Sequence, residues 1–217
     1  SRVGRYQGDE RLMHDSNTLS KMIANLPWHR MIFASSGAIY RSTNAASCLD
    51  EDSVIADTAY ARYKFYGERC FLEQGGTALR LTNLIGEGMN KETIIADILK
   101  QVSLEDDVKI VLRDCSAVMD LLLVSDAASA FRKTLITDGA MGKVLNIGSG
   151  QGISARALAT LILKRLGKRL VRATSQDDEK NLGIVLNTDL AAKVIDWMPS
   201  KSIEAAISTF ISSAVTR

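Results

Sequence analysis

Short apolar runs that end on small polar residues, separated by stretches of helical length, limit most strongly how this chain can fold. Arg30-Met31-Ile32-Phe33-Ala34 runs into Ser35-Ser36-Gly37 and reads as a buried strand over 30–35. Further strands are expected at 77–83, 108–112, 121–124 and 143–147. Helices are expected at about 15–26, ahead of Pro27, from the segment holding Tyr60 and Lys64 to about Gln74, and at about 91–102. Asp126 reads as the cap of a helix to about 136, and Ser154 as the cap of one from Ala155 to Leu166. In that helix Leu158, Leu161, Ile162 and Leu166 share a face, and a last helix at 202–214 aligns Ile203, Ile207, Phe210 and Ile211. Strands alternating with helices point to an α/β sheet. At 217 residues and 46% hydrophobic, the chain can bury one substantial core with a small lobe beside it.

Chemistry concentrates near the first strand. Tyr60 follows Ser36 by 60 − 36 = 24 positions, and Lys64 follows Tyr60 by four. A phenol and an ammonium four apart on a helix share one face. The lysine charge favours the phenolate, lowering the phenol's pKa from about 10. A serine hydroxyl on a facing strand end can hold the same substrate oxygen, which makes a proton-transfer site for an alcohol or carbonyl. One Tyr-x-x-x-Lys match among five tyrosines carries little weight alone.

Its neighbours add that weight. Ser35-Ser36-Gly37-Ala38-Ile39-Tyr40, the acidic Asp50-Glu51-Asp52, then Ala59-Tyr60-x-x-x-Lys64-x-x-x-Glu68 resemble the extended short-chain dehydrogenase/reductase family, the NAD-dependent sugar-nucleotide epimerases and dehydratases. The resemblance continues in order through Leu79-Arg80-Leu81-Thr82-Asn83-Leu84-Ile85-Gly86, Asp120 to Ala130, Asn146-Ile147-Gly148-Ser149-Gly150, and Asn187 to Lys193 with Trp197-x-Pro199.

The resemblance implies a Rossmann-like doubly wound parallel sheet with a small substrate-binding lobe. The remainder of the Rossmann-like domain is expected over 1–85, and the mixed lobe over 86–217, with returning Rossmann elements at about 115–147. Tyr60, Lys64 and Ser36 would be catalytic: Tyr60 exchanges the proton, Lys64 holds the cofactor ribose, and Ser36, favoured over Ser35, binds the substrate oxygen. Ala34, Ser35, Tyr60 and Lys64 would face NAD or NADP; Ser36, Gly37 and Asn83 would contact a small-molecule substrate, a nucleotide-sugar. The family also implies a homodimer, while the scattered cysteines and the lack of a membrane-length apolar run make a reducing cytoplasm the default expectation.

Departures from the pattern are equally legible. No Gly-x-x-Gly-x-x-Gly turn precedes Ser36, and some 35 residues are too few for two βαβ units, so the chain reads as starting inside the Rossmann half. Met119 stands where the family often has an arginine, Arg41 where a glycine usually follows Tyr40, and Lys180-Asn181-Leu182 where a second arginine is common. Arg113 and Arg172 are the nearby candidates to replace a phosphate-gripping arginine. These departures keep a second reading open, a non-catalytic remnant that binds substrate or a partner. Gly148-Ser149-Gly150-Gln151-Gly152 lacks dinucleotide spacing and reads as a tight strand–helix turn. A net charge of +2 and basic residues without interleaved aromatics give no reason to expect nucleic acid. Three scattered cysteines and two histidines offer neither a disulfide framework nor a metal site, and no apolar run reaches membrane length.

Overall fold

The structure is a computed structural model that describes residues 10–40, 48–49, 54–90, 92–175 and 183–215. Helix α1 (Glu10–Ala24) leads into β1 (Ile32–Ser36), a 3₁₀ turn (Gly37–Ile39), β2 (Cys48–Leu49) and α2 (Ala59–Leu72). Then come β3 (Thr77–Leu81), β4 (Asn83–Ile85), α3 (Ile94–Lys100), β5 (Asp107–Leu112), β6 (Val118–Met119), β7 (Leu121–Leu123) and α4 (Val124–Ile136). The chain finishes with β8 (Val144–Ile147), β9 (Ile153–Ser154), α5 (Ala155–Arg165), β10 (Arg169–Ser175), β11 (Val185–Leu186), α6 (Asp189–Ile195) and α7 (Ile203–Val215). No helix among the described residues is long and apolar enough to cross a membrane.

The central sheet has the parallel order β1-β3-β8. Successive strand residues point to opposite faces. Phe33 and Ala78 therefore pack under α1 and α2 with Ala24 and Phe71, whereas Leu79, Leu145 and Ile147 pack against α4 and α6. Helices on both faces of a parallel sheet make the Rossmann-like α/β architecture expected from the sequence. A second apolar cluster joins α3, β5, α5 and α7 through Ile98, Ile110, Leu158, Ile162 and Ile207.

Local chemistry sets the element ends. Thr58 caps α2 by accepting from the Ala61 amide at 3.1 Å. The helix stops at Leu72, and Gly75 takes the left-handed conformation (φ 75°) that turns the chain into β3. Ser154 caps α5 as expected, accepting from the Ala157 amide at 3.2 Å.

Two expectations need correction. The single strand over 77–83 is two strands broken at Thr82. The Thr82 amide still donates to Ile147, while its hydroxyl donates to the Asp120 carbonyl at 2.8 Å. There the chain leaves β8 and takes β7 as its partner. Asp126 does not cap α4, which starts directly from β7 with Leu123 at the N-cap and no side-chain cap bond. β10, absent from the sequence reading, pairs with β5 despite its basic residues, because Arg169 and Arg172 point to solvent on either side of a register shift while Ala173 is buried.

Candidate functional site

The site forms where the first turns of α2 meet the end of β1. Ala61 packs with Ile39, Tyr40 and Leu186, which lays the start of α2 beside the 3₁₀ turn. Ser36 opens that turn in an extended conformation, its Oγ accepting from the Ala38 amide at 3.2 Å. Tyr60 stands half-buried one residue before Ala61. Lys64 reaches to the strand and donates from Nζ to the Ala34 carbonyl at 2.8 Å.

Aromatic rings enclose the ammonium. Lys64 Nζ lies 5.3 Å from the ring centre of Phe33, 5.6 Å from that of Tyr63 and 5.8 Å from that of Tyr60, within cation–π range. Burial lowers the Lys64 pKa below its ordinary value, and the negative charge of Glu68 partly opposes this. The rings are near because Gly67 lets α2 settle onto Phe33; a Cβ at Gly67 would collide with that ring.

The structure thus brings Tyr60, Lys64 and Ala34 together, with Ser36 alongside. Ser35 is turned inward, 3% exposed, and its hydroxyl donates to Glu68 Oε1. Ser35 therefore meets the site from beneath. Gly37 is also buried, against Leu186 and Leu81. Asn83 lies exposed farther on, its Nδ2 donating to the Asp120 carbonyl at 3.3 Å.

Sequence reasoning gave no role to the polar cluster underneath. Glu68, fully buried, takes Arg80 Nε at 2.9 Å and Nη2 at 2.8 Å in a two-bond ion pair. Arg80 Nη1 donates to the Tyr40 hydroxyl at 2.9 Å, and that hydroxyl donates to Asn146 Oδ1 at 2.6 Å. Burial alone would lower the Arg80 pKa, but its bonds to Glu68 and Tyr40 outweigh that and raise it. The available signal was an arginine inside the apolar run Ala78-Leu79-Arg80-Leu81.

Beyond Asn83 opens a recess of about 840 Å³, walled by Leu84, Met89, Lys100, Arg113, Met119 and others. It starts two residues past Leu81, the partner of Ser36 across β1 and β3. Arg113 is on its wall, whereas Arg172 is exposed on β10. Asp120 supports the recess from behind. Its carboxylate accepts from the Ser149 hydroxyl at 2.6 Å, the Ser149 amide at 2.8 Å, and the Gly150 and Leu186 amides at 3.3 Å each. Burial raises the Asp120 pKa against the pull of those bonds. The amides of the 148–150 loop thus serve an internal carboxylate, as fits a structural turn. Arg41, Asp50-Glu51-Asp52 and Lys180-Asn181-Leu182 lie outside the described residues.

The model of the NAD dependent epimerase/dehydratase family matches residues 10–148, which carry Ser36, Tyr60, Lys64 and Asn83. The chain belongs to this family. A dTDP-4-dehydro-6-deoxyglucose reductase of Escherichia coli is 26% identical over 195 residues, which are 85% of this chain and 61% of that protein. The chain thus spans less than two thirds of this relative's length.

The fold of this family member recurs in solved structures. dTDP-glucose 4,6-dehydratase from Bacillus anthracis str. Ames, in complex with NAD, is 19% identical with a TM-score of 0.78, covering 93% of this chain and 67% of that one. UDP-glucuronic acid 4-epimerase from Bacillus cereus, in complex with UDP-glucuronic acid and NAD, is 18% identical with a TM-score of 0.74 and the same coverage, 93% and 67%.

Proposed function

We propose that this chain carries the proton-transfer centre and substrate recess of an NAD(P)-dependent enzyme that epimerises, dehydrates or reduces a nucleotide-sugar. The observation that carries this is Lys64, held against the Ala34 carbonyl one helical turn after Tyr60, beside the turn opened by Ser36. A lysine ammonium has three donors, and the Ala34 carbonyl takes one. Two remain for a pair of ribose hydroxyls, so the residues fit a nicotinamide dinucleotide. When bound, that cofactor would accept or return a hydride at its nicotinamide ring.

The chain's own groups then have defined tasks. Tyr60 as phenolate takes the proton of the substrate hydroxyl during oxidation, and as phenol returns it during reduction. The ammonium of Lys64 favours the phenolate by its charge. Ser36 Oγ hydrogen-bonds the reacting oxygen. Ser35 offers no side chain to either ligand, so its part in cofactor binding is confined to the backbone.

The recess suits the rest of a nucleotide-sugar in size, since small-molecule sites run to about 300–1,000 Å³. Arg113 and Lys100 bring positive charge to its wall beside the carboxylates of Glu92, Asp97 and Asp114, with Lys100 paired to Asp97, and Asn83 brings an amide at its entrance. With Met119 in place of the family arginine, Arg113 is the group best placed to meet the diphosphate. The exposed Leu19, Met22 and Tyr66 on α1 and α2 support a homodimer through that face.

The test follows the hydride. The chain is incubated with UDP- and dTDP-4-ketohexoses, whose carbonyl can accept a hydride, and with NADH or NADPH carrying deuterium at nicotinamide C4, and the sugar is examined by mass spectrometry. Deuterium in the sugar, absent with Tyr60→Phe, is the expected result. Equal transfer by Tyr60→Phe would remove Tyr60 from the chemistry, and no transfer by the folded chain would remove the activity from this polypeptide.

A further inference from the structure

Ser35 pairs in register with Arg80, and Arg80 with Asn146, across the three parallel strands. The three side chains form one polar row facing α2, a single position before the strands end at Ser36, Leu81 and Ile147. Each is buried, at 3%, 3% and 0% exposure, and so are Glu68 and Tyr40, which bond to the row from above. The rest of this layer is apolar, with Phe33, Phe71 and Ala78. A buried ion pair in such surroundings adds little stability over well-packed apolar side chains, because desolvation offsets the attraction. What it does provide is a unique geometry: a two-bond fork, a hydroxyl and a phenol, each with its partner in place.

That geometry is tied to the site by one peptide. Lys64 and Glu68 are one turn apart on α2, and they hold consecutive residues of β1: Lys64 the Ala34 carbonyl, Glu68 the Ser35 hydroxyl. The Ala34 carbonyl belongs to the peptide that enters Ser35, so clamping the Ser35 side chain limits how that carbonyl can turn. Arg80 keeps the Glu68 carboxylate from rotating away, since both its oxygens are engaged.

We propose that Ser35, backed by the Glu68–Arg80 pair, is a positioning residue that aims the Ala34 carbonyl at Lys64 and so sets where the Lys64 ammonium stands. The consequence for catalysis rests on the reading of Lys64 as the cofactor-holding group; the placement of Lys64 itself does not. The Ser35 side chain touches no ligand in this scheme. It acts through a backbone carbonyl.

The test reads Lys64 directly. Trace acetic anhydride labels lysines in proportion to the freedom and basicity of each amine, and mass spectrometry gives the rate at Lys64 relative to exposed Lys143. Ser35→Ala should raise that ratio on the order of fivefold, the effect of losing one hydrogen bond. Ser35→Thr, which keeps the hydroxyl, should stay within about twofold of the parent by the same measure. Should the alanine variant not fold, Ser35→Cys, close in shape and a poor donor, is read in its place. A purely structural serine would lower the melting temperature and leave the ratio unchanged, and an unchanged ratio overturns the proposal. Titrating the same proteins with NADH separates the two readings. A freed Lys64 in a chain that never binds NADH sinks the functional reading alone; NADH binding with an unmoved ratio sinks the positioning role alone.

Discussion

Arg80→Met isolates the energetics of the buried cluster. Arg80 and Glu68 are 3% and 0% exposed and share two hydrogen bonds of 2.9 and 2.8 Å. Methionine fills much of the arginine's volume but leaves the Glu68 carboxylate inside the protein, where the Ser35 hydroxyl still donates to it. Breaking one side of a buried pair costs about 3–5 kcal/mol. For a chain of this size each 1 kcal/mol moves the melting temperature by roughly 2–4 °C, so the loss should be about 6–20 °C. Adding Glu68→Gln removes the stranded charge, and the double variant should recover on the order of 2 kcal/mol relative to the sum of the singles. Urea titrations and thermal melts of all four proteins, followed by circular dichroism, give the cycle. A shift of less than about 2 °C for Arg80→Met, or strict additivity in the double variant, would refute the claim that these groups form one charged unit.

Other consequences are as direct. Gly67→Ala drives a methyl into the Phe33 ring, and despite a helix-propensity gain of about 1 kcal/mol it should destabilise by roughly 1–3 kcal/mol; Gly139→Ala, with open space around it, is the neutral control in the same melts. Burial raises the Asp120 pKa in the folded state, so its contribution is fully present below its unfolded value of about 3.9 and is lost as pH rises through the folded pKa. The unfolding free energy of the parent relative to Asp120→Asn should therefore fall as pH rises above about 4 in denaturant titrations, and a flat difference would contradict the burial argument. Arg113→Met should weaken binding of a nucleoside diphosphate about tenfold or more by calorimetry, the loss of a charged hydrogen bond; unchanged affinity would take Arg113 out of the recess's recognition role.

The fold was legible where periodicity and motif agree. The apolar run ending at Ser35-Ser36, the helix from Tyr60 and the Ser154 cap appear within a few residues of where the sequence puts them. The break at Thr82 was not legible, because a strand that changes partners looks like one apolar run until the Asp120 carbonyl is known to take the Thr82 hydroxyl. β10 was hidden by its composition, since an edge strand with solvent-facing arginines resembles a charged helix end. In the site, spacing was enough to put Tyr60 and Lys64 on one face of a helix. It could not show that Ser35 faces inward, because neighbouring strand residues point to opposite faces and the choice depends on which face α2 covers. The Glu68–Arg80 pair was equally hidden: its members are 80 − 68 = 12 positions apart, and only the register of β1 and β3 beneath α2 joins them.

We take Tyr60 and Lys64 to form a nicotinamide-binding, proton-transferring pair. Titration of the 217-residue chain with NADH and NADPH, followed by nicotinamide fluorescence, tests this most directly. Saturable binding that weakens in Lys64→Met and in Tyr60→Phe is the expected result. Binding that ignores both substitutions would contradict the assignment of these residues, and no binding by a chain shown to be folded would contradict hydride transfer by this polypeptide.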